Sequence, residues 1–204
     1  MRWVMLIVGI MLGVLLLGAA RFLFVPPPQG VHYHANFAVF VDGERLDLSG
    51  DRFMEDVAAC AADPDAVRPE DRVHLHDNNP DVVHVHHGGA TWGHLFANLG
   101  LGLGEDYLVL PDGRRLFDGE DGRTMELFVD GRQLPEIHNR AVAPRDRALV
   151  SIGPETPDEV LERQFPQVAS NAAEYDETSD PAGCAGAHRE LTLRQRLEHA
   201  FWGG

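Results

Sequence analysis

The stretch at residues 73–87, VHLHDNNPDVVHVHH, constrains the fold of this chain more than any other. Histidines and apolar residues alternate on both sides of the polar centre DNNPD. A period of two is typical of strands, because successive side chains point to opposite faces of a sheet. The stretch therefore predicts two antiparallel strands joined by a turn over residues 77–81, with histidines on one face and Val or Leu on the other.

The register of this predicted hairpin determines whether its histidine side chains lie on the same face. A turn of three or five residues puts both His-x-His pairs on the same face, whereas a turn of four residues puts them on opposite faces. We expect the shared face, because the apolar side chains then converge as well. A third pair flanks another predicted strand. The candidate ligands are these six paired histidines: His32, His34, His74, His76, His84 and His86.

Imidazole nitrogens from neighbouring strands can approach a single Zn²⁺ or Cu²⁺, which they bind at about 2.0–2.1 Å. Asp77 and Asp81 are placed to orient an imidazole or to supply an oxygen ligand. The sequence thus predicts a metal-binding protein, with zinc as first choice and copper as second. His87 and His94 lie near enough in sequence to contribute. The isolated histidines are treated as surface or structural residues: His138, His188 and His199.

Three other interpretations of the histidines stay open. Crowded imidazoles repel one another when protonated, so the cluster is also compatible with a pH-responsive or purely structural role. A metal-dependent hydrolase would use a metal-activated water, with Asp77 or Asp81 as the base. An adaptor domain that docks another envelope protein would need the histidines only for its fold. Whether the protein is an enzyme is therefore not settled by the sequence.

The N-terminus carries no charge over residues 3–20, and the apolar run resumes after Arg21 as FLFV. Eighteen helical residues rise about 27 Å, close to the roughly 30 Å hydrocarbon core of a bilayer. We therefore predict a transmembrane anchor over residues 1–25, with Arg2 on the cytoplasmic side and the domain outside. The alternative is a signal peptide cleaved near Gly18-Ala19-Ala20. The length of the apolar run favours the anchor.

The formal net charge is −15, and all 17 basic residues are arginine. Such a surface repels phosphates, which excludes nucleic acid as a partner, and it attracts cations. Only two cysteines are present, Cys60 and Cys184, and they form no Cys-x-x-Cys motif. A dithiol oxidoreductase is therefore not expected, and whether the two cysteines pair is left open.

Downstream of a proline-rich spacer at residues 26–31, the pattern predicts a His-rich α+β domain over residues 32–153, with mainly antiparallel strands. Asp-Gly pairs between alternating segments indicate three hairpins, at residues 42–43, 112–113 and 130–131. Thr91 is predicted to cap a single central helix, and residues 146–153 to form a closing strand. Residues 154–204 are expected to be an acidic, irregular tail with a short C-terminal helix.

The order of hairpin, helix, further strands and closing strand from residue 82 to 153 is similar to a β-grasp arrangement. Across residues 32–153, the segments HYHANFAVFVDGE, VHLHDNNPDVVHVHHGGATWGHLFANLGL, ELFVDG and DRALVSIG resemble a group of uncharacterised, membrane-anchored bacterial and archaeal proteins. The resemblance implies an extracytoplasmic domain and supplies no activity. Similar proteins often carry a cysteine pair where Cys184 stands alone, which favours Cys60 as the partner in any disulfide.

Overall fold

The computed structural model describes residues 2–24, 31–55, 68–177 and 193–202. Two compact units are present: one combines the chain ends, Met1–Gly30 with Gly186–Gly204, and the other is Val31–Ala185. The mixed α+β class and the N-terminal apolar helix are confirmed. The two cysteines, Cys60 and Cys184, lie outside the described residues, so whether they pair stays open.

Two helices form the described part of the first unit. Helix α1 spans Arg2–Phe24, and its large apolar side chains are exposed. It is long and apolar enough to cross a membrane, although a signal sequence would pass the same test. The C-terminal helix predicted in the tail is α5, Leu193–Trp202.

A seven-stranded sheet is the centre of the second unit. Its strand order is β3-β4-β1-β10-β8-β9, and β2 pairs with β1 beside β4. Strands β1 and β10 are parallel, while the other pairings are antiparallel, so the sheet is mixed. The strands are β1 Tyr33–Val41, β2 Glu44–Arg45, β3 Val73–His74, β4 Val82–Val85, β8 Thr124–Val129, β9 Arg132–Gln133 and β10 Arg147–Gly153.

A second, three-stranded sheet contains β5 Gly102–Leu103, β6 Tyr107–Val109 and β7 Arg115–Phe117. The three predicted Asp-Gly hairpins are confirmed, and they join β1 to β2, β6 to β7 and β8 to β9. In the first of them φ is 50° at Asp42 and 81° at Gly43. Two consecutive positive φ values define the type I′ turn, whose twist matches that of the flanking strands.

Helix α2, Trp92–Asn98, is the helix predicted after Thr91, whose side chain accepts a hydrogen bond from the backbone N–H of His94. Its Trp92, Leu95 and Phe96 are buried in the core on one face of the large sheet. The expected β-grasp arrangement with a single central helix is not confirmed, since several helices accompany the sheets in the described residues.

Residues 154–177 are ordered helical turns and not the expected irregular tail. The reason is that they cover apolar side chains on the opposite face of the sheet. Strand β1 is buried on both faces, so Ala38 and Phe40 need apolar cover on the side away from α2. Val160 and Val168 supply that cover. Each fully buried apolar side chain of this size contributes about 1.5–3 kcal/mol, enough to order a segment that shows no helical period.

This covering segment is a chain of short helical turns. It contains α3 Pro157–Glu159, a π-helical turn Val160–Gln164, a 3₁₀ turn Phe165–Gln167 and α4 Ala172–Asp176. Thr156 and Glu159 form a capping box that starts it. The guanidinium of Arg147 donates to the backbone carbonyls of Val168 and Ala169 and lies 4.7 Å from the ring centre of Phe165. Strand β10 thereby holds the segment against the sheet.

Candidate metal centre

Three histidines lie side by side across the edge of the sheet. His84 of β4 is the register partner of His34 of β1 and of His74 of β3. All three side chains are buried, at 0–3% exposure, on the face opposite the core that contains Val83 and Val85. The same register places five residues, 77–81, in the turn, so the prediction that both His-x-His pairs share a face is confirmed.

On this face, nitrogen atoms of two imidazoles approach the same nitrogen of a third. The Nε2 atom of His34 and the Nε2 atom of His76 each lie 3.1 Å from Nδ1 of His84. Two nitrogens bound to one tetrahedral zinc at about 2.0–2.1 Å would lie about 3.3 Å apart. The observed separations are therefore close to those of a ligand set.

Two carboxylates fix the orientation of the outer two rings. Asp176 Oδ1 lies 3.1 Å from Nδ1 of His34, and Asp77 Oδ2 lies 2.8 Å from Nδ1 of His76. A carboxylate accepts, so in each ring Nδ1 donates and the lone pair of the neutral imidazole is on Nε2. This is the carboxylate–histidine pairing that commonly accompanies metal-bound imidazoles.

His32 joins the same group from the chain just before β1. One ligand atom from each of His32, His34 and His84 lies within 4.8 Å of the others, so these three residues could hold a metal ion. The ring centre of His32 is 4.9 Å from those of both His34 and His84. His76 adjoins this group through the 3.1 Å approach of its Nε2 atom to Nδ1 of His84.

The remaining two predicted ligands lie on the other side of His84. The rings of His74 and His84 are stacked, with centres 5.1 Å apart and an interplanar angle of 10°. The ring of His86 lies 4.8 Å from that of His74, and His87 lies beyond it at 4.9 Å from His86. All six paired histidines therefore belong to one continuous cluster of rings, in which His74 and His86 form its second layer.

Burial favours the neutral form of three imidazoles, those of His34, His74 and His84. It is the largest cause that lowers the pKa of His74, to about 3, and the positive charge that neighbouring imidazoles would carry adds to it. The pKa of His34 and that of His84 are lowered by burial as well. Neutral rings with free lone pairs are the form in which histidine binds metals.

The other histidines and one expected carboxylate lie elsewhere. Nδ1 of His94 accepts from the backbone N–H of Thr91, so this residue caps α2. His138 pairs with Glu136. Asp81, a predicted orienting group, forms an ion pair with Arg45 instead of contacting an imidazole. His188 and the side chain of His199 lie outside the described residues.

Helix α4 brings in a residue that sequence reasoning did not predict. Besides the His34 ring, Asp176 accepts from the backbone N–H of His34 at 2.9 Å and from Nε of Arg145 at 3.1 Å. The ring of Tyr175 lies 5.8 Å from that of His34 and covers it. Since residues 154–204 were expected to be irregular, no pattern in them pointed to this carboxylate.

Asn36 lies two residues after His34 on the same face of the sheet. Its side chain holds both the start of helix α4 and the hairpin turn at residues 77–81 against this face. Its amide oxygen accepts from the backbone N–H of Ala172 at 3.0 Å. Its amide nitrogen donates to Asn171 at 3.0 Å and to the carbonyl of Asp81 at 2.9 Å. A buried asparagine within an apolar strand was the available signal, because such a side chain needs hydrogen-bond partners.

Comparison of the chain with protein-family models, with curated proteins and with solved structures found no match. What this cluster of imidazoles and carboxylates can hold is therefore judged from its own geometry.

Proposed function

We propose that this protein is a membrane-tethered, extracytoplasmic metal-binding protein that holds a zinc ion at its histidine cluster, with copper as second choice. The observation that carries the proposal is the approach of two Nε2 atoms, those of His34 and His76, to 3.1 Å from the same nitrogen of His84. His32 is the fourth proposed ligand. His74 and His86 pack behind His84 and complete the cluster as its second layer.

Hydrogen bonds between the rings do not account for the approach of two Nε2 atoms to the same nitrogen of His84. Because Asp176 and Asp77 engage Nδ1 of His34 and His76, both outer rings turn a lone pair toward Nδ1 of His84. That nitrogen carries at most one hydrogen, which cannot point along both 3.1 Å directions at once. A cation placed among the three nitrogens satisfies all of their lone pairs together.

The ligand atoms suit a metal ion that is borderline between hard and soft. Imidazole nitrogens bind zinc and copper better than the hard cations Mg²⁺ and Ca²⁺, which prefer oxygen. With His76 as a fourth nitrogen ligand beside the group of His32, His34 and His84, the set would match the tetrahedral preference of zinc, which is why zinc is the first choice. The net charge of −15 raises the local concentration of any cation.

The structure favours holding a metal over the alternative roles. His34 and His84 are 3% and 0% exposed, so a substrate would have little access to a metal bound between them. A pH sensor needs imidazoles that titrate near neutrality, whereas burial lowers the pKa of His74 to about 3.

Tethering to the membrane is proposed from helix α1 and the charge around it. The helix contains 23 residues, and Arg2 and Arg21 near its ends are its charged residues. Arg2 on the short side and the acidic bulk beyond the helix support an orientation with the domain outside the cytoplasm. The mass of the chain purified from membranes tests retention, because cleavage near Ala20 would remove about 2 kDa from its 22.5 kDa.

The metal proposal is tested with the full chain in detergent. The protein is stripped with a chelator, dialysed against Zn²⁺ or Cu²⁺, and analysed for bound metal and affinity. We expect one equivalent in the native chain. His76→Ala should weaken binding at least 100-fold, since it removes a ligand at the rim of the cluster, where the fold tolerates it. His138→Ala is the matched control, because His138 lies outside the cluster.

Coordination of the metal by nitrogen atoms is tested by a separate, spectroscopic measurement. The copper-loaded protein should show nitrogen hyperfine splitting in its electron paramagnetic resonance spectrum, and His76→Ala should reduce it. Absence of stoichiometric metal, or equal affinity in the His76 and His138 variants with unchanged circular dichroism, would overturn the proposal.

A further inference from the structure

Within the unit formed by the chain ends, α5 packs closely against α1. A Cβ atom built on Gly18 would overlap Cε1 of Phe201, so this ring occupies the space that glycine leaves. Gly18 is the buried residue of α1, and Ala200 beside the ring is only 3% exposed. The guanidinium of Arg196 lies 4.7 Å from the ring centre of Phe22.

These contacts give the level of α5 along α1. Counting about 1.5 Å per residue from Arg2, Gly18 lies about 24 Å and Phe22 about 30 Å along the helix. The hydrocarbon core is about 30 Å thick. Arg196 therefore lies at the level of the headgroups, and Phe201 lies about 6 Å deeper, in the zone where aromatic side chains concentrate in membrane proteins.

The side chains of α5 are distributed as this location requires. Leu193, Leu197 and Phe201 recur every four residues on one side, and they are 67%, 42% and 38% exposed. Trp202 at the deep end is 84% exposed. On the polar side, Arg194 pairs with Glu198 at 2.9 Å. An exposed apolar stripe beside a charged pair suits a helix that packs along α1 at the level of the membrane interface.

We propose that α5 is a second membrane-attachment element, which packs against the outer end of α1 and inserts its apolar stripe and Trp202 into the lipid of the outer leaflet. This inference rests on the proposed retention of α1 as a membrane anchor and is independent of the metal site. Lipid is the occupant because the partner that α5 already contacts is itself the membrane helix. The chain is then attached to the bilayer at both ends.

The test uses full-length protein in vesicles of phosphatidylcholine and phosphatidylglycerol. Cys60 and Cys184 are replaced by serine, and Trp202→Cys or Arg194→Cys is labelled with an environment-sensitive fluorophore. We expect the probe at position 202 to be quenched by nitroxide on the lipid chains and at least threefold less by aqueous iodide than the probe at position 194. Equal quenching at the two positions, by either reagent, would overturn the inference.

Contact with α1 is tested by a matched pair of glycine variants. Gly18→Leu should displace Phe201 and expose the probe at position 202 to iodide, whereas Gly13→Leu should leave it shielded, because nothing lies within 4 Å of a Cβ at Gly13. Identical behaviour of the two variants would overturn the packing of α5 on α1. Failure of the anchor is recognised separately, since a chain of reduced mass overturns both, while a full-length chain with an exposed probe overturns this inference alone.

Discussion

Replacing Asp176 by asparagine keeps the shape of the side chain and removes the negative charge beside His34. The carboxylate accepts from the His34 ring at 3.1 Å, from the His34 backbone at 2.9 Å and from Arg145 at 3.1 Å. The asparagine carbonyl can retain part of this pattern, but its NH₂ group must face one of these donors. The His34 ring then loses the acceptor that keeps its Nε2 lone pair directed at the metal position.

The size of the effect follows from the role of Asp176 as an orienting group and not a ligand. Removing such a group typically weakens metal binding 10- to 100-fold. This corresponds to about 1.4–2.7 kcal/mol of binding free energy. We also expect the metal-free protein to lose about 1–3 kcal/mol of stability, because a hydrogen bond to a charged acceptor is replaced by a weaker neutral one.

The assay is competition with a chromophoric zinc chelator, performed on native protein, Asp176→Asn and Asp81→Asn in parallel. Asp81→Asn is the matched control, since it removes the same charge from a residue that pairs with Arg45 and contacts no imidazole. Weaker zinc binding confined to the Asp176 variant is the expected result. Equal affinities in both variants would refute the claim that α4 orients a ligand.

Three further predictions concern the same face of the sheet. Burial lowers the pKa of His74 to about 3, so between pH 6.5 and 3 this residue binds a proton in the unfolded chain but not in the metal-free native state. The free energy of unfolding should therefore fall as the pH drops below about 6.5, by up to roughly 5 kcal/mol near pH 3. A urea midpoint that stays constant between pH 7.5 and 5 would contradict this. Asn36→Ala leaves the buried N–H of Ala172 without its acceptor and should cost about 2–4 kcal/mol in urea denaturation, while an effect below 1 kcal/mol would show that its hydrogen bonds matter little. Arg147→Ala should speed hydrogen exchange in residues 160–176 but leave β1 protected; unchanged exchange there would mean that apolar packing alone holds the segment.

Much of the site was predictable because strands impose a strict period. Alternation around DNNPD identified the hairpin, and agreement between the apolar and histidine positions fixed its register. The Asp-Gly pairs at 42–43 and 130–131 likewise specified hairpin turns, since few residue pairs adopt two consecutive positive φ values; at 112–113 only the glycine has one. In each case the information is local and lies within about fifteen residues.

The parts that sequence reasoning did not reach depend on distant contacts. Helix α4 has five residues and no apolar period, and its place is set by Asn36, about 135 residues earlier in the chain. The parallel pairing of β1 with β10 also leaves no local signal, because the paired residues are about 110 positions apart in the sequence. Asp81 was a reasonable orienting group by proximity, yet Arg45 of the neighbouring strand engages it instead.

The pairing of Asn36 with Arg147 joins residues about 110 positions apart, and Asp176 follows later still. Strand β1 therefore meets its parallel partner only after about three quarters of the chain has been synthesised. The paired histidines all lie within residues 32–86, so their rings can come together before Asp176 is available to orient them. The late strand and helix thus complete a cluster whose imidazoles are already in place.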